Sequence, residues 1–270
     1  MPESSPPPDK RIFITWDSSP LGAAALDAAA ALARRLNAEL AGLFVENSNL
    51  LRLAELPFAR EYTLASAAAR KFETGELKRA MRLQAETARG ALSRAAQNLS
   101  VRWSFQVVRG ALLDSVLDAM GEPDLAVFGH TGQYVVRPDT VKGSTAQHSH
   151  VTAPRQQILA IFDESRAADR TLTAANLLAQ LHHTDVVVLL IAEDAAALSR
   201  LHTRAAAQLE KNGTGARFHV LPERDTRAIR SVADSYHAAA LLWHGVQSPD
   251  ERKALATLVD TLKCPVVLVS

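Results

Sequence analysis

Apolar runs of strand length alternate with helix-length amphipathic stretches along nearly the whole chain, and that alternation restricts the architecture more than any other feature. Two parallel strands joined through a helix need a right-handed crossover, so a chain of such units builds a parallel sheet with helices on both faces. The first run, Arg11-Ile12-Phe13-Ile14-Thr15-Trp16, is rich in β-formers and stops at Asp17-Ser18-Ser19-Pro20. Those four are helix-start residues: side-chain oxygens that cap free N–H groups, then a Pro suited to the first turn. Residues 21–40 then carry Ala25, Leu32, Leu36 and Leu40 at helical spacing, and 40–45 return to strand. Further along, the pattern predicts a helix over 76–99, with Leu77, Met81, Ala85, Ala88, Leu92, Ala95 and Leu99 on one face. A strand over 101–108, a helix over 112–120 opened by Gly110, a strand over 124–128 and a helix near 144–152 follow.

The order then repeats. Residues 157–162 read as a strand ending in Asp163-Glu164-Ser165, an echo of Trp16-Asp17-Ser18. Helices over 168–181, 195–211, 226–236 and 250–262 alternate with strands over 185–192, 216–221, 238–244 and 265–269. A repeat of about half the chain means two tandem doubly wound α/β domains rather than a short-repeat solenoid. The expected division is a disordered tail at 1–9, a first domain at 10–154 and a second at 155–270, each with a mostly parallel sheet of about five strands. Only four strand candidates precede Pro154, against five after it. The first sheet lacks its fifth strand, or 157–162 serves it and the second begins late; the Asp163-Glu164-Ser165 echo favours the former.

Composition narrows the function classes. Apolar residues at 47% and charged residues at 22% give a chain that builds a core and is not disordered by composition. Thirty basic side chains against twenty-nine acidic ones supply no general attraction to nucleic acid or an anionic membrane. The single cysteine, Cys264, rules out an intrachain disulfide and a Cys-rich metal site. Residues 1–9 show no basic segment leading into an apolar one, and no apolar run approaches the ~18 residues of a membrane helix. The expectation is a cytoplasmic protein that contacts neither membrane nor nucleic acid.

Chemistry concentrates after the fourth strand, in Gly129-His130-Thr131-Gly132 and, ten residues later (133–142), Gly143-Ser144-Thr145. In a parallel α/β sheet, ligands bind beyond the carboxyl ends of the strands. Glycines there let backbone amides approach a phosphate, and Ser144 and Thr145 would add hydroxyls at a positive helix end, with Lys142 a point charge. The alternative is a Gly-containing loop with an ordinary Ser/Thr cap, and spacing alone leaves both open. Asp17 likewise reads as a helix cap or a ligand-binding carboxylate. Ser18 and Ser19 have no positioned base beside them, so neither reads as a nucleophile. His148 and His150 form a His-x-His pair without an evident third ligand, which favours solvated side chains over a metal site. His182-His183 sits at a helix end, and Cys264 on an apolar strand reads as a small buried side chain. Residues 47–72 are long for a strand–helix connection; Leu50, Leu51, Leu53 and Leu56 suggest a short helix stopped by Pro57, either a lid over the crevice or a cover for the open end of the sheet.

With these residues assembled, the chain resembles a tandem universal stress protein. The resemblance rests on the first strand ending in Asp17-Ser18-Ser19, on Gly42-Leu43-Phe44-Val45 and Val108-Arg109-Gly110, and on residues 124–132 with the later Gly143-Ser144. Cys264-Pro265-Val266-Val267-Leu268-Val269 resembles the closing strand, and residues 50–61 resemble a proteobacterial subgroup of largely undefined function. What the resemblance implies is a five-stranded parallel sheet per domain and, as in many members, a site for ATP or AMP. Asp17 would meet the ribose or base, the backbone of Val45 the adenine, and Gly129, Gly132, Gly143, Ser144 and Thr145 the phosphates. The chain departs from the Gly-x2-Gly-x9-Gly-(Ser/Thr) pattern by one extra residue, which a loop accommodates at small entropic cost.

The second copy departs further. Asp163 persists, but Trp243-His244-Gly245 runs into Val246-Gln247-Ser248-Pro249 with no later Gly-Ser at the required distance. That copy is expected to be structural, packing on the first as the two halves of a homodimer would. The leading reading is a stress-linked or regulatory module that binds an adenine nucleotide without a catalytic set. A scaffold or interaction protein that binds no nucleotide is the alternative. A weak ATPase comes last, because the Ser-Gly-Gly-x-Asp-Ser loop of related hydrolases is replaced by Asp17-Ser18-Ser19-Pro20. Association of two chains stays open, and no protein partner is named by the residues.

Overall fold

The computed structural model describes residues 10–16, 20–56, 60–62, 69–71, 74–121, 124–129 and 156–270. The first half contributes strands β1 (Arg11–Thr15), β2 (Glu39–Asn47), β5 (Trp103–Gly110) and β6 (Leu125–Phe128), with a small antiparallel hairpin of β3 (Arg60–Tyr62) and β4 (Ala69–Lys71). Its helices are α1 (Pro20–Leu36), α2 (Ser48–Ala54), α3 (Thr74–Leu99) and α4 (Leu112–Ala119). The second half runs β7 (Gln157–Phe162), α5 (Arg166–His182), β8 (Val186–Ile191), α6 (Ala195–Glu210), β9 (Ala216–Leu221), α7 (Thr226–Ser235), β10 (Ala238–His244), α8 (Pro249–Thr261) and β11 (Val266–Val269).

Nine of these strands form one sheet in the order β5-β2-β1-β6-β11-β10-β7-β8-β9. All neighbours are parallel except β6 and β11, which pair antiparallel with Val127 opposite Val267. Among the described residues the first half thus supplies four strands to this sheet, and β11 of the second half occupies the next place beside β6. The seam is closed at its end by Ser270, whose Oγ donates to the carbonyls of Asp124 (2.7 Å) and Gly121 (3.0 Å). Asp124, buried, in turn accepts from the Arg11 amide, the Arg11 guanidinium and the Gly121 amide, each at 2.9 Å. One carboxylate therefore ties the starts of β1 and β6 together beside the last residue of the sequence.

The central strands β6, β7 and β11 are buried on both faces, so alternate side chains feed two apolar layers. Ile158, Ala160 and Phe162 point into the layer covered by α1, α3, α5 and α6, whereas Leu159 and Ile161 point into the one covered by α4, α7 and α8. Each layer contains residues of both halves, so the two copies share their core across the seam. Cys264 lies in the second layer, where burial above all, with the Asp234 charge, pushes its thiol up to about 12. It is a buried thiol and not a nucleophile at neutral pH.

Local chemistry sets the element ends. The helix read over 21–40 stops at Leu36, because Asn37 takes a left-handed φ of 51° and the chain re-enters the sheet at Glu39. Ser100 does the same after α3 with φ 55°, which delays the next strand to Trp103. Asp194 caps α6 by accepting from the Ala197 amide, and Asp225 caps α7 through the Arg227 and Ala228 amides. The short helix inferred after residue 47 exists as α2, with Leu51 packed on Leu77 and Met81 of α3. The hairpin β3–β4 is an addition that the hydropathy pattern does not announce. The tail at 1–9 and the helix read near 144–152 lie outside the described residues.

Candidate functional site

In a doubly wound sheet the ligand crevice lies where the chain reverses its direction of travel across the strands. Here that happens twice. The first half runs β1, β2, β5 to one edge and then returns to β6 on the other side of β1; the second runs β7, β8, β9 and returns to β10 beside β7. Because β6 and β11 are antiparallel, the two crevices open at opposite ends of the sheet.

The first crevice lies between the carboxyl ends of β1 and β6. Val45, near the end of β2, is buried, and so is Gly129, which follows β6. The Gly129 amide donates to the Thr15 carbonyl at 2.8 Å. A Cβ on Gly129 would lie 3.0 Å from Ala25 Cβ and 3.1 Å from both Gly22 Cα and Trp16 Cβ. Gly129 thus lets α1 settle onto the strand ends, and its amide is already committed. Gly129→Val is expected to lower stability by about 1–3 kcal/mol through overpacking, readable as a reduced midpoint in urea with unchanged m-value. Thr15, 2% exposed, carries a hydroxyl with no hydrogen-bond partner among the described residues; the matching position in the second half is Ile161. On the rim, Arg109 Nε donates to Glu46 Oε2 at 2.7 Å across β2 and β5. Asp17, Gly132, Gly143, Ser144 and Thr145 lie outside the described residues, as do Lys142, His148 and His150. Of the residues expected to form the site, the structure therefore brings Val45 and Gly129 to one end of the sheet.

The second crevice is built from residues whose motifs gave no sign of a site. Asp163 follows β7, His244 ends β10, and Arg224 comes from the connection between β9 and α7. His244 is fully buried; its Nε2 lies 3.0 Å from Asp163 Oδ1 and its Nδ1 3.0 Å from Thr171 Oγ1 on α5. A ring nitrogen facing a carboxylate oxygen carries the hydrogen, so Nε2–H donates to Asp163. Arg224 Nη2 donates to Asp163 Oδ2, and Nη1 donates to the His244 carbonyl at 2.8 Å. Gly245 has φ +71°, a left-handed turn open to glycine that swings the chain from β10 toward α8. There Ser248 and Glu251 form a reciprocal cap, with Glu251 Oε2 accepting from the Gln247 and Ser248 amides.

Burial is the strongest single influence on Asp163 and pushes its pKa up, but hydrogen bonds from His244 and Ser165 and the His244 charge together hold it well below the usual carboxylate range. A folded-state pKa below the unfolded value of about 4 stabilises the fold above that pH, and the contribution is lost as pH falls through the folded value. Asp163→Asn should therefore be less stable than the parent chain by a constant amount above about pH 5, and the gap should narrow below about pH 4. Thermal melts of both proteins across pH 3–8 measure it.

Among the described residues no helix is long and apolar enough to cross a membrane, and no group of three or more His, Cys, Asp or Glu could hold a metal ion.

No family model matches the chain, and no curated protein matches it in sequence. Solved structures do match in fold. A universal stress protein from Archaeoglobus fulgidus is 13% identical and superposes with a TM-score of 0.53, covering 97% of this chain and 96% of its own. Two others cover 43% of this chain. One is a universal stress protein in complex with cAMP, 16% identical over 98% of its own chain, with a TM-score of 0.38. The other is from Archaeoglobus fulgidus in complex with dAMP, 19% identical over 97% of its own chain, with a TM-score of 0.37. With its two halves joined in one mostly parallel sheet, the chain has the universal stress protein fold.

Proposed function

We propose that the chain is a regulatory module that binds an adenine nucleotide, ATP or AMP, in the crevice of its first half and does not turn it over. The observation that carries the reading is the switch point between β1 and β6. β1, which Asp17 follows in sequence by two residues, and β6, which Gly129 follows directly and Gly132, Gly143, Ser144 and Thr145 follow later in sequence, are neighbours with their carboxyl ends on the same side. That is where a doubly wound sheet exposes backbone amides to a phosphate. Val45 lies near the end of the adjoining β2 and would face the base. The second half would serve as scaffold, since its own switch point is filled by side chains.

Calorimetric titration of the full chain with ATP, AMP and cAMP tests this reading. A saturable heat with one site per chain is expected for ATP or AMP. Gly132→Val should weaken it at least tenfold, about 1.4 kcal/mol, by denying the backbone its close approach. No heat with any nucleotide sinks the reading and leaves a scaffold or interaction protein of the same fold. Hydrolysis that disappears in Asp17→Ala would instead mark an ATPase.

A further inference from the structure

Arg224 is held as a bound ligand would be. Its side chain reaches from the β9–α7 connection into the second crevice and is 20% exposed. Nη2 donates to Asp163 and Nη1 donates to the His244 carbonyl at 2.8 Å, while His244 Nε2, whose own hydrogen goes to Asp163, sits 3.1 Å from Nη2 without accepting from it. Glu251 Oε1 is 3.8 Å from Nη1, and the Trp243 ring lies under the cation, 5.1 Å from its carbon. Two carboxylates, a carbonyl and an aromatic face around one planar fork is the chemistry that recognises a guanidinium rather than an ammonium. The Asp163 and Arg224 positions are 61 residues apart, and Asp163 and His244 are 81 apart, so only the doubly wound topology assembles the set.

We propose that the second crevice is a guanidinium-binding site whose occupant is the chain's own Arg224, an intramolecular ligand that keeps the crevice closed to external ones. The tether gives Arg224 a high effective concentration, so a free ligand competes poorly in the intact chain. This holds whether or not the first crevice binds a nucleotide. Removing the tethered group leaves the acceptors in place and exposes the site.

The test is chemical rescue. Arg224→Ala removes atoms equivalent to ethylguanidinium, so ethylguanidinium chloride is the probe, read by thermal unfolding of the full chain. Arg224→Ala should melt about 5 °C or more below the parent chain. Ethylguanidinium at about 20 mM, far below denaturing concentrations, should raise its Tm by about 2 °C or more in a saturable way while leaving the parent unchanged. Arg224→Ala combined with Asp163→Asn should not respond. A missing or unsaturable rise overturns the proposal, as does an equal rise in the parent or with sodium chloride or methylammonium at the same ionic strength. Should Arg224→Ala fail to fold, the parent chain decides by guanidinium NMR. Separate, exchange-protected Nη resonances for Arg224 support a bound guanidinium, and averaged, rapidly exchanging ones overturn it.

Discussion

Replacing Val267 with aspartate is expected to abolish the folded state of the whole chain at 25 °C, not of its second half alone. Val267 is fully buried in β11, opposite Val127 of β6 on one side and Leu242 of β10 on the other. A carboxylate at that point has no partner in the apolar layer around it. Even after protonating, it leaves a polar group unsatisfied and forfeits the packing of the valine methyls, at a combined cost of about 5 kcal/mol or more. That approaches the entire stability of an ordinary domain. Because β11 is the strand on which both halves close, circular dichroism and limited proteolysis should show both halves losing structure together. Val267→Ala, with two methyl groups fewer, should cost about 2 kcal/mol and keep a single cooperative transition. A first half that kept its native protease resistance in Val267→Asp would refute the shared seam.

Trp243→Ala should be the most damaging truncation in the second crevice, at about 3–5 kcal/mol. Trp243 is fully buried, packs in the layer covered by α7 and α8, and donates from Nε1 to the Gly245 carbonyl at 3.3 Å. It also carries the Arg224 cation on its face. Deleting the indole leaves a cavity lined by rigid strands and helices that cannot collapse into it. At about 2–4 °C per kcal/mol for a chain of this size class, Tm should fall by about 6–20 °C. Trp243→Phe keeps an aromatic face and most of the volume, so it should lose less than half as much. Equal losses in the two variants would place the energy in the Nε1 hydrogen bond instead of in packing.

Much of the fold is legible because the strands are apolar runs with abrupt polar ends. The runs at 157–162, 216–221 and 238–244 coincide with β7, β9 and β10 residue for residue. Helix ends are less legible where a non-glycine residue terminates the helix: Asn37 is of a type that tolerates a positive φ, a weak signal, whereas Ser100 carries none. The hairpin β3–β4 has three-residue strands of mixed polarity, too short for alternation to register. The antiparallel seam is not readable either, because strand adjacency between halves depends on which edge the first half leaves open. In the second crevice, Asp163 stands out as an echo of Asp17, yet its partners do not. The usable signal is positional: Asp163, Arg224 and His244 each sit at or just beyond the carboxyl end of an apolar strand. A doubly wound sheet brings such ends together.

The proposed asymmetry lies between two switch points of one sheet, the first open to a nucleotide and the second occupied by Arg224. Native mass spectrometry of the full chain with ATP and with AMP tests it most directly. A single nucleotide per chain is expected at saturation for at least one of them, with half-occupancy needing at least tenfold more nucleotide in Gly132→Val and no more than the parent needs in Asp163→Asn. Two nucleotides per chain, or a single one lost in Asp163→Asn and retained in Gly132→Val, would contradict it.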